Sequence, residues 1–345
     1  MQNQKRISLF TLKNNQGIIA EILDYGAIIK SLKVPDKTGE TTNVVLGYQT
    51  PEDYLTDQYY IGSVIGRYAN RISNGSFELE GKRFQLSRNN DQTCLHGGFN
   101  GFNKKIWETI NHTANSLTLQ YVSQDMEEGF PGNLTIMVSY TLTEKNELKI
   151  DYQAVTDLPT HVNFTQHSYF NLSGRRDKTI ENHFLQIFSN QYLPNNEQSV
   201  PKGHFESVQQ TPFSFIEPQQ ISEALQSTDA QMRLDLGINH SFLLKTKNSP
   251  DLQLAAGLFS PASGIAMKTY TTEPGIHVYC ANYFGKENWK MTASNFPQYA
   301  GICLETQHFA DSPNHSTFPS TLLLPGEFFN SRTIYSFENI DQNTE

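Results

Sequence analysis

A glutamate inside an apolar strand pattern is the first candidate for chemistry in this sequence. The segment GICLETQHFADSPN, residues 301–314, places Ile302 and Leu304 on one strand face and Glu305 on the other. A carboxylate in such surroundings is costly to bury unless it is paired or takes part in a reaction. The sequence therefore allows two interpretations of Glu305: a buried salt bridge with Arg71, or a reactive carboxylate.

A histidine among aromatic residues is the second candidate. In HVNFTQHSYFNLSG, residues 161–174, strand alternation puts mainly apolar residues at the even positions. The odd positions carry His161, Asn163, Thr165, His167, Tyr169 and Asn171. This polar row is either a solvent-facing surface or the wall of a ligand site. Because it contains no Lys, Glu or Asp, its neutral donors and acceptors suit a hydroxyl-rich ligand.

Two further segments contain polar residues in apolar surroundings. GRYANRISNG places Asn70 and Arg71 ahead of a predicted hairpin, and TCLHGGFNGFNKKIW places His96 before a Gly-Gly pair. Glycines allow a ligand to approach the backbone closely, although His96 could instead cap a turn. The sequence has no C-x-x-C, H-E-x-x-H, P-loop, G-x-G-x-x-G or G-x-S-x-G pattern. We therefore predict neither a metal nor a nucleotide cofactor.

Short strands and turns are the elements that must position these residues. Residues 75–87 predict a hairpin around Glu80-Gly81, and residues 133–156 predict a longer one. The segments NSLTLQYVS, INHSFLLK and GIHVYCANYF add strand candidates, whereas helical spacing is limited to residues 219–234 and one turn after Pro51. With no linker visible, we predict an all-β fold. Its expected form is one large antiparallel β-sandwich domain over residues 1–345, with few short helices and a polar tail from about residue 338.

Composition narrows the class of partner. The 345 residues include 37% hydrophobic and 18% charged residues, and the net charge is −9. An acidic chain lacks the basic footprint that nucleic acids and anionic membranes require, so a neutral small molecule is the expected partner. The absence of a signal-peptide pattern and three widely spaced cysteines predict a cytoplasmic protein without a disulfide framework.

Four of these segments, taken in order, resemble the galactose mutarotase (aldose 1-epimerase) family. They are GRYANRI (66–72), LHGGFNGFNKKIW (95–107), HSYFNLSG (167–174) and LETQHFADSPNH (304–315). The resemblance extends from about residue 10 to residue 337. It implies a galactose mutarotase-like supersandwich that interconverts the α and β anomers of free aldohexoses such as galactose and glucose.

The resemblance also implies roles for individual residues. Glu305 would be the general base and His167 the general acid, while Arg71 and His96 would hold sugar hydroxyls, with Asn70 and Tyr169 nearby. Ring opening removes a proton from the C1 hydroxyl and gives one to the ring oxygen, so it needs two such groups and no cofactor. We expect an ionised glutamate, and a histidine whose pKa is raised by a neighbouring carboxylate.

Two expected sugar-binding positions depart from the family pattern. Asn239 stands where the family usually has Asp, and His277 stands where it usually has Gln. Asn can still accept through its oxygen, but the charge is lost. A neutral hydrogen bond is weaker than a charged one by roughly 1 kcal/mol, so we expect about fivefold weaker sugar binding rather than inactivity.

Two alternative functions stay open at this stage. A hexose-phosphate 1-epimerase would need a cationic pocket, for which Arg67, Arg175 and Arg176 are the spare arginines. A non-catalytic sugar-binding module would have no reason to keep both Glu305 and His167. We expect a monomer or a homodimer.

Overall fold

Antiparallel strands dominate the computed structural model, which describes residues 6–244, 251–285 and 296–340. The described residues form 27 strands, numbered β1 to β27 in chain order. The largest sheet has nine strands, in the spatial order β10 (Glu108–His112), β11 (Ser116–Ser123), β12 (Leu134–Leu142), β13 (Glu147–Thr156), β27 (Phe329–Asn339), β23 (Ile265–Thr271), β22 (Gln253–Phe259), β17 (Phe184–Ile187) and β20 (Gln219–Gln220).

Two smaller sheets complete the main framework. A six-stranded sheet has the order β16 (Tyr169–Phe170), β25 (Ile302–Gln307), β24 (Gly275–Tyr279), β21 (Asn239–Leu243), β18 (Gln191–Leu193) and β19 (Glu206–Ser207). A four-stranded sheet has the order β1 (Leu9–Lys13), β2 (Ile19–Leu23), β3 (Ile29–Pro35) and β4 (Thr41–Asn43). The predicted all-β antiparallel fold is confirmed.

Short pairings and helices connect the sheets. The two-stranded pairs are β5 (Val64–Ile65) with β15 (Thr165–Gln166), β6 (Arg71–Ile72) with β9 (Cys94–Leu95), β7 (Ser76–Leu79) with β8 (Lys82–Gln85), and β14 (Thr160–His161) with β26 (Leu322–Leu323). The helices of the described residues are α1 (Ile221–Leu225), α2 (Ala230–Leu234) and the 3₁₀-helices Pro51–Thr56, Ser73–Gly75, Phe102–Lys104, Glu127–Gly129 and Ser312–Asn314. In these ranges, no helix combines the length and the apolar character needed to cross a membrane.

Local sequence explains the two predicted hairpins. Glu80 and Gly81 both adopt positive φ, 51° and 72°, as the turn between two directly paired strands requires. Along β12 buried and half-buried residues alternate without interruption, because one face packs on the core. β12 pairs with β13 over its full length, after a turn in which Asn146 has a φ of 60°.

The nine-stranded and six-stranded sheets pack face to face. One hydrophobic cluster contains Ile136 and Val138 of β12 together with Ile302 and Leu304 of β25. The hydroxyl of Tyr335, on β27, donates to the carbonyl of Leu304 at 3.2 Å. The inner face of the six-stranded sheet is therefore core, and its opposite face is free to form a site.

Two predicted elements differ from the structure. Residues 161–173 are buried on both faces and form three two-residue pairings, with β26, β5 and β25 in turn, so the solvent-facing interpretation is wrong. The helical window splits into α1 and α2, since the side chain of Asp229 caps a new helix by accepting from Gln231 N at 2.8 Å. The last strand, β27, reaches Asn339, and residues 341–345 of the expected tail lie outside the described residues.

Candidate active site

A cavity of about 610 Å³ opens on the outer face of the six-stranded sheet. Its volume is in the usual range for small-molecule sites. All of the predicted site residues line it: Asn70, Arg71, His96, His167, Tyr169, Asn239, His277 and Glu305. Residues from distant parts of the chain therefore meet at one place.

Strand alternation brings His277 and Glu305 to the cavity wall. Ile276 and Val278 of β24 join the core cluster, so His277 and Tyr279 point to the opposite face. The register pairs His277 with Glu305 on β25 and with Ser241 on β21. A line of polar side chains thus crosses three neighbouring strands.

Glu305 and His167 form the centre of the site. Glu305 Oε1 lies 3.7 Å from His167 Nε2, and the two residues are only 1% and 4% exposed. The second carboxylate oxygen, Oε2, has no hydrogen-bond partner among the described residues. The ion pair between Glu305 and Arg71 considered as an alternative is not among the salt bridges of the described residues. The carboxylate thus keeps an oxygen available to a ligand.

Burial controls the protonation of this pair. It raises the pKa of Glu305 to about 8 and lowers the pKa of His167 to about 4. Both shifts run opposite to the expectation, because burial disfavours the ionised glutamate and the cationic histidine. Removal from water is the largest cause of both shifts, and it favours the protonated form of Glu305 and the neutral form of His167.

Asn70, Arg71 and His96 form one corner of the cavity, where β6 pairs with β9. His96 Nδ1 accepts the backbone N–H of Asn70 at 3.2 Å, and burial holds the pKa of His96 well below its ordinary value. The ring is therefore neutral and carries its hydrogen on Nε2. Asn70 Oδ1 accepts the N–H of Arg71, and Arg71 Nε donates to Asn90 Oδ1 at 3.2 Å. This corner presents hydrogen-bond donors to a ligand.

Tyr169 and Tyr60 bring aromatic surface to the cavity. Tyr169 donates its hydroxyl to the carbonyl of Tyr59 at 2.9 Å. The ring of Tyr60 lies 4.6 Å from that of His96 and 5.9 Å from that of His167, measured between centroids. Tyr60 has a φ of 58° and follows the buried Asp57, whose carboxylate accepts the N–H groups of Tyr59 and Ile61.

Several lining residues were not identified from the sequence. They include Asp57, Tyr60, Lys104, Ser199, Tyr279 and Tyr283. Tyr279 lies two positions after His277 on the same strand, so alternation could have identified it. Lys104 ends the 3₁₀-helix Phe102–Lys104 and lies within the segment LHGGFNGFNKKIW, which could have pointed to it. Asp57, Tyr60, Ser199 and Tyr283 come from loops whose positions depend on tertiary packing.

A group of potential metal ligands overlaps the central pair. His167, Cys303 and Glu305 offer ligand atoms within 4.8 Å of one another. Burial raises the pKa of the Cys303 thiol well above its ordinary value and raises that of Glu305 as well. Because metal ligands must be deprotonated, both shifts disfavour a metal at this position.

The spare arginines of the sequence lie away from the cavity. Arg67 donates to the carbonyls of Pro131 and Gly132 at 2.7 and 2.8 Å. Arg176 pairs with Asp36, and Arg175 lies over the ring of Phe296. None of the three arginines lines the cavity, where the described cationic residues are Arg71 and Lys104.

Comparison with known proteins identifies close relatives. The family model described as aldose 1-epimerase matches residues 8–336. A galactose mutarotase of Rattus norvegicus is 38% identical over 331 residues, which cover 96% of this chain and 94% of the relative. An aldose 1-epimerase of Escherichia coli K12 is 36% identical, with 95% of this chain and 94% of the relative covered.

Solved structures show the same fold. An aldose epimerase homologue from C. elegans has a TM-score of 0.89 at 28% identity, covering 97% of this chain and all of its own. A galactose 1-epimerase from Lactobacillus acidophilus has a TM-score of 0.86 at 29% identity, covering 99% of this chain and 97% of its own.

Proposed function

The chain belongs to the aldose 1-epimerase family and is an isomerase with aldose 1-epimerase activity, and from this premise we propose how its residues perform the reaction. Its substrate is a sugar. We propose that the substrates are free aldohexoses such as galactose and glucose, that Glu305 acts as general base, and that His167 acts as general acid.

One observation carries this assignment. Glu305 and His167 are the two buried titratable groups that face each other at 3.7 Å on the cavity wall. One proton donor and one acceptor at the same anomeric centre are what the opening of a cyclic hemiacetal requires. A non-catalytic sugar-binding module would not need such a pair.

The proposed reaction balances with these two groups alone. Glu305 takes the proton of the C1 hydroxyl, the bond between C1 and the ring oxygen breaks, and His167 gives its proton to that oxygen. The open-chain aldehyde then rotates about C1–C2. In reclosure His167 takes back the proton from the attacking hydroxyl, and Glu305 returns its proton to the C1 oxygen of the other anomer.

The resting protonation of the pair matches one stage of this cycle. After ring opening Glu305 is protonated and His167 is neutral, which are the forms that burial favours. Before a cyclic sugar can open, the proton of the pair must lie on His167, and Glu305 must be ionised. Sugar hydroxyls that donate to the unpartnered Oε2 of Glu305 would stabilise its carboxylate and favour this transfer.

The other lining residues would hold the sugar. The Nε2–H of His96 and the side-chain donors of Asn70 and Arg71 would bind ring hydroxyls, and Tyr169 would lie beside the pair. Tyr60, with its ring beside both histidines, offers an aromatic face to the C–H groups of the sugar. No step requires a cofactor.

Polarimetry of freshly dissolved sugars tests this proposal. We expect the protein to accelerate the mutarotation of α-D-galactose and α-D-glucose, and not that of glucose 6-phosphate. Faster mutarotation of glucose 6-phosphate alone would support the hexose-phosphate alternative. Sugar binding without faster mutarotation would support a non-catalytic module. We expect full activity after chelation, and loss that zinc restores would overturn the metal-free mechanism.

We further propose that the protein works in the cytoplasm as a monomer or a homodimer, without nucleic acid or membrane as partner. The three free cysteines, Cys94, Cys280 and Cys303, are consistent with a reducing compartment. The chain's acidic charge is consistent with a small neutral substrate. Sedimentation analysis would distinguish the monomer from the homodimer.

A further inference from the structure

A chain of hydrogen bonds runs along the cavity wall between β21 and β24. His277 Nδ1 lies 2.9 Å from Ser241 Oγ, and His277 Nε2 lies 2.9 Å from Asn239 Oδ1. The three residues are 4–6% exposed, and His277 and Asn239 line the cavity. Both nitrogens of the imidazole are therefore bonded within the protein.

The direction of each bond follows from the atoms involved. An amide oxygen only accepts, so Nε2 of His277 must carry the hydrogen that points at Asn239. Burial, with the positive charge of nearby Arg71, keeps the pKa of His277 well below its ordinary value. The neutral ring then has a lone pair on Nδ1, which accepts the hydroxyl hydrogen of Ser241.

The side chain of Asn239 is consequently fixed in one orientation. Its backbone is held as well, because its N–H donates to His240 Nδ1 and its carbonyl accepts from Asn195 Nδ2. Its amide oxygen is used by His277, and no hydrogen bond among the described residues involves its amide nitrogen. The nitrogen, with two hydrogens, is the polar group that this residue can offer to the cavity.

We infer that Asn239 is a specificity-determining residue that donates a hydrogen bond to one sugar substituent, and that Ser241 and His277 are positioning residues which hold the amide in that orientation. This inference rests on the proposed function and adds the direction of one hydrogen bond between protein and sugar. The sugar substituent that contacts Asn239 must accept a hydrogen bond from its amide nitrogen. A hydroxyl can do so, and so can a fluorine, which never donates.

Fluorinated sugars separate a donor from an acceptor at this position. The panel consists of galactose, its monodeoxy analogues and its monodeoxyfluoro analogues substituted at C2, C3, C4 or C6. Dissociation constants are measured by titration and fluorine NMR, and kcat/KM by polarimetry. At one carbon we expect the fluoro sugar to bind within about threefold of galactose, and the deoxy sugar to bind about tenfold more weakly.

Asn239→Asp is the decisive variant. Its carboxylate can still accept from His277, but its other oxygen presents an acceptor to the cavity. The fluoro sugar that the wild-type protein binds well should bind Asn239→Asp about tenfold or more weakly, relative to galactose. His277→Gln, whose side-chain amide can still donate to Asn239, should retain the wild-type pattern. His277→Leu should weaken the preference, because the amide can then turn.

The tautomer of His277 gives an independent test. Nitrogen NMR should show a neutral ring with its hydrogen on Nε2 from pH 5 to 8. A hydrogen on Nδ1 would overturn the inference, since Asn239 would then donate to His277 and turn its oxygen to the sugar. An unchanged fluoro preference in Asn239→Asp would also overturn it. If the binding pattern holds but no sugar is converted, the proposed function fails and this inference stands.

Discussion

At the scale of single residues, Glu305 and His167 show how burial can reverse an expected charge state. In water the glutamate would be ionised at pH 7 and the histidine partly protonated. In the cavity, desolvation favours the neutral form of each group. Because the net result of the proposed ring opening is one proton lost by His167 and one gained by Glu305, a closely spaced buried pair is suited to this reversible exchange with the sugar.

Replacing the proposed base tests its role directly. Glu305→Gln preserves shape but removes the proton acceptor, so we expect kcat to fall about a hundredfold or more, while sugar affinity changes little. Polarimetry and titration calorimetry measure the two effects, and Glu78→Gln, on an exposed position of β7, is the control. A variant that keeps more than about a tenth of the wild-type kcat would show that the base lies elsewhere.

The pKa shifts predict the pH dependence of kcat/KM. Above about pH 8 the pair loses its single proton and has no acid, and below about pH 4 it holds two protons and has no base. We therefore expect a plateau between these values with a fall on both sides, the limbs belonging to the pair rather than to either residue. A limb near pH 6.5, the ordinary value for histidine, would mean that burial does not control His167.

At the scale of elements, the site depends on the register of neighbouring strands and on one loop. β21, β24 and β25 each bury alternate residues in the core and direct the others to the cavity, so a shift of one residue would exchange the two sets. The loop after the helix Pro51–Thr56 is fixed differently. There Asp57 accepts from Tyr48 OH, Tyr59 N and Ile61 N at 2.8–3.0 Å.

Removing this carboxylate should affect both stability and catalysis. Asp57→Ala removes the three hydrogen bonds that this buried carboxyl group accepts, and we expect the free energy of unfolding to fall by about 2–4 kcal/mol. Since Tyr60 would lose its fixed position, kcat/KM should fall as well. Denaturant unfolding and polarimetry measure the two effects.

The 3₁₀-helix Pro51–Thr56, which precedes the loop of Asp57, supplies a matched control. Asp53 accepts from the N–H and hydroxyl of Thr50 at 3.0 and 2.8 Å, but it does not line the cavity. Asp53→Ala should cost about 1 kcal/mol of stability and leave kcat/KM unchanged. If both variants had the same kinetics as wild type, the loop would have no role in positioning Tyr60.

At the scale of the whole molecule, the final strand joins distant parts of the chain. β27 lies between β13 and β23 in the nine-stranded sheet, pairing with residues more than a hundred positions apart. The main hydrophobic cluster extends from Leu12 to Phe337 and includes both large sheets. These contacts support our proposal that the chain forms a single domain.

A single domain should unfold in one step. We expect the unfolding curves from circular dichroism and from fluorescence to share one midpoint in guanidinium chloride, because the two halves of the chain contribute to one core. A truncation that removes β27 should prevent folding, since β13 and β23 would lose their shared neighbour. Two separate transitions would contradict a single domain.

The sequence by itself determined the class of fold, the hairpins and the residues brought to the cavity. Strand alternation and turn residues are local properties, so the pairing of β7 with β8 and of β12 with β13 could be read from neighbouring residues. The motifs around His167 and Glu305 are equally local. All eight predicted site residues line one cavity because these motifs end on adjacent strands and loops.

Only the tertiary structure decided the environment of those residues. The segment at 161–173 read as one strand with a polar face, but its successive residues pair with three different strands, and nothing in the segment itself encodes those partners. The same holds for charge and orientation. Burial sets the pKa of Glu305 and His167, and hydrogen bonds from Ser241 through His277 orient Asn239. Desolvation and long-range hydrogen bonds arise only when distant strands meet, and no local pattern specifies them.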